Sequence, residues 1–143
     1  MRELKTQIDI GAPPAAVWSI LTDFPSFPDW NPFVTSLQGN LKLGEQLEAR
    51  IEPPGGKAMT FKPKIVEHEP GKRFVWLGHL IIPGIFSGRH GFELKPLLDG
   101  GTRFYQWEVF SGILVPRMWD TLDTRTRVGF EEMNKALRDR AEA

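Results

Sequence analysis

The stretch Leu97–Gly101, LLDGG, is the tightest constraint in the sequence. Asp-Gly followed by a second glycine is turn chemistry, and long alternating runs lie on either side, Phe86–Pro96 and Thr102–Ile113. A turn this short between two such runs predicts an antiparallel hairpin in which Pro96 roughly faces Thr102. Counting outward from that pair puts Leu94 beside Phe104, Phe92 beside Gln106 and His90 beside Glu108. Arg89, Glu93 and Lys95 belong to solvent, so His90, Phe92 and Leu94 face inward. The register carries Phe104, Gln106, Glu108 and Phe110 inward with them and turns Arg103, Tyr105 and Trp107 out. A slip of one residue would turn the second strand over, so the interior depends on how this turn is read.

The rest of the chain supplies partners for such a hairpin. Glu3–Ile10 alternates, with Leu4, Thr6, Ile8 and Ile10 on one face, as a half-buried strand does. GAPPAAVWSILTDF follows, where Pro13 or Pro14 suits a first helical turn and Val17, Trp18, Ile20 and Leu21 form an apolar stripe. A second short helix or tight turn is expected over Phe24–Trp30, among prolines 25, 28 and 32. Strand-like runs then recur between turn signals: Phe33–Leu37, Gln46–Glu52, Ala58–Glu67, Arg73–Ile82, and the two arms of the hairpin. Pro83-Gly84 is read as the turn before the hairpin. From Pro116 to Arg140 the apolar positions Trp119, Leu122, Thr126, Gly129/Phe130, Met133 and Leu137 recur at steps of three and four, which predicts one long helix. The expectation is an α+β fold: a curved seven-stranded antiparallel sheet, two short helices after the first strand, and a long C-terminal helix laid across the sheet.

With 143 residues, the chain fits one domain, residues 1–143. Eighteen basic and eighteen acidic side chains cancel, with no Lys/Arg block, which argues against nucleic acid or an anionic membrane surface as a partner. Absence of cysteine excludes disulfides, thiolate zinc sites and cysteine nucleophiles. No stretch approaches the roughly 20 apolar residues of a membrane span, and MRELKTQIDI has no apolar run of signal-peptide length, so a cytoplasmic protein is expected. Five Trp and ten Phe against one Tyr supply large apolar surfaces without hydroxyls, suited to a core or a cavity.

The order of elements resembles the START-like or helix-grip (SRPBCC) superfamily, and within it the bacterial polyketide cyclase/dehydrase-like group. The residues that carry the likeness are APPAAVWSILTDFPSFPDWNPF, PGKRFVW, GIFSGRHGFELKP, GGTRFYQWEVFSGIL and FEEMNKAL, spread over nearly the whole chain. The resemblance implies a cavity between the concave face of the sheet and the C-terminal helix, holding an apolar small molecule. The fold hosts carriers, cyclases, hydrolases and chaperone co-factors, so it does not choose among them.

The candidate chemistry is the inward pair His90 and Glu108, with Gln106 beside it. Burying either ionisable group is costly, and pairing offsets part of that cost. Such a pair is a structural cross-strand bond, an anchor for the polar end of a ligand, or a general acid/base, with His90 and Glu108 as the catalytic candidates. Trp30 and Phe33, flanking Asn31 in PDWNPF, are read as core packing or ligand lining. Phe74 and Trp76 share a face on a neighbouring strand and, with Phe92 and Phe104, are candidate pocket walls. Met118, Leu122 and Thr126 would cover the cavity from the long helix. Gly129 is read as permitting close helix–sheet approach. His68, His79 and His90 are evenly spaced, but equal spacing means little across strands. His79 has the parity opposite to Trp76, and His68 lies near a turn, so neither a metal nor another cofactor is expected. The leading reading is binding of a small hydrophobic or aromatic molecule of lipid, polyketide or isoprenoid type, by a monomer or homodimer. A cyclase/dehydratase-like enzyme and a protein-interaction or chaperone-stimulating module, presenting Tyr105 and Trp107, are the alternatives.

Overall fold

The computed structural model describes residues 1–80 and 84–143. Ile81, Ile82 and Pro83, and with them half of the expected Pro83-Gly84 turn, lie outside the described residues. Along the chain run β1 (Arg2–Ile10), α1 (Pro14–Leu21), a 3₁₀ turn (Phe24–Ser26), α2 (Phe27–Trp30), β2 (Val34–Gln38) and β3 (Glu48–Ile51). Then come β4 (Met59–Phe61), β5 (Lys64–Glu69), β6 (Arg73–Leu80), β7 (Phe86–Pro96), β8 (Thr102–Ser111), α3 (Val115–Thr121), a π-helical turn (Leu122–Thr126) and α4 (Arg127–Glu142). The fold is α+β, as expected, with an antiparallel sheet against a long C-terminal helical segment.

The described strands number eight rather than seven. The additional one arises because the run Ala58–Glu67 contains Pro63, which has no N–H for the ladder and divides it into β4 and β5. β1-β8-β7-β6-β5 form one sheet and β2-β3-β4 a second. The two are stitched where Leu47 N–H donates to Pro63 O (2.7 Å) and Ile65 N–H to Glu45 O (2.9 Å). The C-terminal helix also departs from expectation, since a π-helical turn divides it. Steps of three and four fit either side of such a turn, so side-chain periodicity does not reveal the extra residue.

The β7–β8 register is the one the LLDGG turn predicts: Pro96 faces Thr102, Leu94 Phe104, Phe92 Gln106 and His90 Glu108. On the other side β6 places Phe74 opposite Phe92 and Trp76 opposite His90. α4 lays Phe130, Met133 and Leu137, all fully buried, onto this concave face. Gly129 lets the helix come close: the ring of Phe33 occupies the place a Cβ would take there.

The convex face is held by charge. Glu67 on β5 bonds both Arg73 of β6 and Arg89 of β7, and Arg73 also reaches Glu93 at 3.2 Å. The hydrogen bond from Arg73, aided by Arg89, holds the Glu67 carboxyl below its usual range against an opposing push from burial. A depressed folded pKa gives stability that is present above the unfolded value and fades as pH falls through the folded one. Replacing Glu67 by Gln is therefore expected to lower stability at neutral pH by less than about 1 kcal/mol, given the partial exposure of the pair. In urea titrations followed by fluorescence the loss should shrink as pH falls below the usual glutamate range and vanish only below the depressed folded-state pKa, where Glu67 is protonated in both states. An equal loss at every pH would show that the ion pairs do not contribute through charge.

Candidate functional site

The concave face of β6, β7 and β8 is layered. One layer is Phe74, Phe92 and Gln106; the next is Trp76, His90 and Glu108; the third is Gly78, Gly88 and Phe110. Where the third layer should carry two more side chains there are two facing glycines. Glycine inside a strand leaves bare backbone that another group can approach. Above this bare patch lies a cavity of about 270 Å³. Phe33, Ile51, Met59, Phe61, Phe86, Phe110 and Leu122 give it mostly apolar walls, with Met118, Thr121, Arg125 and Thr126 along the helical side. His90 and Glu108 form its inner end, whereas Lys57, Met59 and Arg125 are exposed at its mouth. Arg125 donates to Gly55 O at 3.2 Å and so ties the π-helical turn to the β3–β4 loop across the opening.

His90 is 2% exposed. Its ring is stacked on Phe92 (centroids 4.5 Å apart) and flanked by Phe130 (4.8 Å) and Trp76 (5.2 Å). Its Nε2 lies 2.9 Å from Gln106 Oε1, and its Nδ1 makes a 3.3 Å contact with Glu108 Oε1. Beyond Gln106 the polar chain runs on into the helix. Gln106 Nε2 donates to Asn134 Oδ1 (2.8 Å), and Asn134 Nδ2 to Thr6 Oγ1 (2.9 Å). The Thr6 hydroxyl in turn donates to the backbone carbonyl of Gln106 (2.9 Å).

That last bond sets the direction of all the others. A carbonyl oxygen can only accept, so Thr6 must donate to it and take its own hydrogen bond from the Asn134 amide N–H. Asn134 Oδ1 then accepts from Gln106, which leaves Gln106 Oε1 to accept from His90. The carbonyl of Phe130, 3.4 Å from Gln106 Nε2, enforces the same amide orientation independently. His90 Nε2 therefore carries a hydrogen. Its Nδ1 faces Glu108 Oε1 at 3.3 Å, an ion-pair contact whenever the ring is protonated. The contact brings an imidazole and a carboxyl group together at the inner end of the cavity, two groups able to exchange a proton.

The second Glu108 oxygen, Oε2, lies over Gly88, where any Cβ would collide with it. The Glu108 side chain is 16% exposed, and both residues line the cavity. Of the residues singled out in the sequence, Phe33, His90, Glu108, Met118, Leu122 and Thr126 stand on the cavity wall. Phe74, Trp76, Phe92 and Phe104 do not; they pack against one another or against His90 in the core. Gln106 is also behind the wall, touching the site only through His90. Trp30 packs edge-on against Phe27, away from the cavity, and its Nε1 is a buried donor without a partner among the described residues. Tyr105 and Trp107 face outward and are half-buried, Tyr105 with Lys5 and Lys95 beside its ring and Trp107 lying across Gly91.

Sequence reasoning missed Ile51, Met59, Phe61 and Phe86, which reach the cavity from other strands, and Lys57 and Arg125 at its mouth. The usable signal was Gly78 and Gly88, both on the inward parity of Trp76 and His90. His79 bonds Ser87 (2.7 Å) and His68 stacks on Trp18 (6.3 Å), so the three histidines do not converge. Among the described residues no group of three or more His, Asp or Glu side chains could hold a metal ion.

A curved antiparallel sheet closed by a C-terminal helix over a cavity is the helix-grip arrangement of START-like domains. The chain belongs to the family described as polyketide cyclase/dehydrase and lipid transport, which matches over residues 1–142. Solved structures with the same fold include a START superfamily protein from Mycobacterium smegmatis, 19% identical, with a TM-score of 0.77 over 98% of this chain and 97% of that one. The Zhui aromatase/cyclase from Streptomyces sp. R1128 is 13% identical, with a TM-score of 0.79 over 99% and 93% of the two chains. A hypothetical protein from Helicobacter pylori is 14% identical, with a TM-score of 0.81 over 98% and 88%. None of the curated proteins compared with the chain matches it. Among the described residues, no helix is long and apolar enough to cross a membrane.

The anchored chain makes a spectroscopic prediction. In ¹⁵N-labelled protein the Nε2 of His90 should carry a hydrogen across the whole pH range of the folded state. Asn134→Leu, which strands the Gln106 amide, should cost about 1–3 kcal/mol in denaturant titration and release that tautomer preference. A wild-type ring with its only hydrogen on Nδ1 would contradict the bond direction derived above.

Proposed function

We propose that this protein binds a small hydrophobic or aromatic molecule of lipid, polyketide or isoprenoid type in the cavity between sheet and helix. One observation carries the reading: a preformed, predominantly apolar cavity with a single buried polar pair at its inner end. Sites for small molecules have this composition, apolar walls that supply affinity and a few fixed polar groups that supply orientation. The family, whose description spans cyclases, dehydrases and lipid transport, supports the same class of ligand. About 270 Å³ exceeds the roughly 150 Å³ known to hold benzene, so a ligand of two or three fused rings is a suitable size.

A second reading, a cyclase/dehydratase-like enzyme, is favoured by the His90–Glu108 pair alone. An imidazole and a carboxyl group in contact, the carboxyl exposed to the cavity, are placed for general acid/base work on an enclosed substrate. The interaction-module reading has only the half-buried outward faces of Tyr105 and Trp107 behind it.

Native mass spectrometry of the purified protein should find a co-purifying apolar molecule or uptake of added two-ring aromatics. Met118→Trp, placing a larger ring at the half-buried helical wall, should weaken that uptake at least tenfold with little change in Tm. Unchanged uptake would put the bound molecule outside the cavity. Turnover of any bound molecule that His90→Ala and Glu108→Ala both abolish, with binding retained, would make the protein an enzyme; binding without turnover in the wild type would make it a carrier.

A further inference from the structure

The hydrogen-bond direction at the inner end of the cavity restricts the chemistry of what can bind there. His90 Nε2–H is committed to Gln106 Oε1, and its Nδ1 is turned toward Glu108 Oε1 at 3.3 Å rather than into the cavity. Among the described residues, the only carboxyl oxygen left facing the cavity is Glu108 Oε2, over the bare backbone of Gly88. A carboxylate oxygen can only accept a hydrogen bond. The inner end therefore offers a hydrogen-bond acceptor and no donor. An ether or ketone oxygen placed there would meet another acceptor and lose its water without replacement, whereas a hydroxyl would gain a charge-assisted bond.

The mouth has the opposite character. Besides His90 and His79, which also lines the cavity with its Nδ1 against the Ser87 hydroxyl, the ionisable residues of the lining are Glu108 within and Lys57 and Arg125 at the opening. Glu108 is occupied with His90, and Arg125 makes its hydrogen bond to a backbone carbonyl, so neither cation is neutralised by a carboxylate of the lining. A ligand lying along the cavity thus meets an acceptor with its buried end and two positive charges with its exposed end.

We propose that the ligand class is a hydroxyl-bearing aromatic anion, its hydroxyl donating to Glu108 Oε2 and its carboxylate or other anionic group lying at Lys57 and Arg125. This inference rests on the cavity being the binding site and adds which polarity it selects. Gly88 is a specificity-determining residue, because it leaves the space in which Glu108 Oε2 meets the hydroxyl.

The test uses two-ring probes and the full chain. Dissociation constants are measured by calorimetry for 6-hydroxy-2-naphthoate, 6-methoxy-2-naphthoate, 2-naphthoate, 2-naphthol and naphthalene. The hydroxy acid is expected to bind at least about tenfold more tightly than both the methoxy acid and 2-naphthoate, the range of one hydrogen bond to a charged group. In Glu108→Leu that preference should fall to about unity while 2-naphthoate still binds. The double variant Lys57→Gln/Arg125→Gln should weaken the hydroxy acid about fivefold and leave 2-naphthol unchanged. Equal binding of hydroxy and methoxy acids by the wild type, which needs no variant to fold, would overturn the proposal and leave the cavity reading standing. A hydroxyl preference that survives in Glu108→Leu would overturn it as well. If none of the five probes binds, naphthalene included, the cavity reading falls and takes this inference with it.

Discussion

The bond from the Thr6 hydroxyl to the backbone carbonyl of Gln106 is small, but the polar interior is ordered from it. It is the fixed end of a chain in which each amide has one permitted orientation, running from β1 through α4 and β8 to the ring of His90. Buried polar groups are costly singly and stabilising only when every partner is in place. Here the links from Thr6 to the His90–Gln106 bond are matched, so the same contacts that fasten the helix to the sheet also decide which nitrogen of a histidine carries its hydrogen. Structural hold and chemical state are set by one network.

Much of this was legible in the sequence because it depends on local rules. Turn chemistry at LLDGG and the parity of three charged residues on β7 were enough to pair His90 with Glu108 across 18 positions. The long C-terminal helix was legible from its apolar spacing. The division of Ala58–Glu67 was written in Pro63, a residue whose missing N–H outweighs the strand-like neighbours on either side.

The cavity was less legible, for a different reason. Phe74, Trp76 and Phe92 have the composition of a pocket wall, yet they fill space against one another, and aromatic type alone does not separate a wall from a filler. The hollow is written in what is missing. Gly78 and Gly88 face each other on the inward rows, and the remaining walls arrive from β2–β4 through pairings and curvature that have no local signature. Gln106 was rightly placed inward, but its service is to the ring of His90 and not to the cavity itself.

The π-helical turn at Leu122–Thr126 divides the labour of the last helix. Beyond it, α4 carries Asn134 and the buried Phe130, Met133 and Leu137, which have fixed partners in the sheet. Before and within it, Met118, Thr121, Leu122 and Arg125 border the cavity. The anchor and the wall thus belong to one continuous piece of backbone but to separate hydrogen-bonding registers. Substitutions in the wall can therefore reshape the hollow without loosening the contacts that fasten α4 to the sheet.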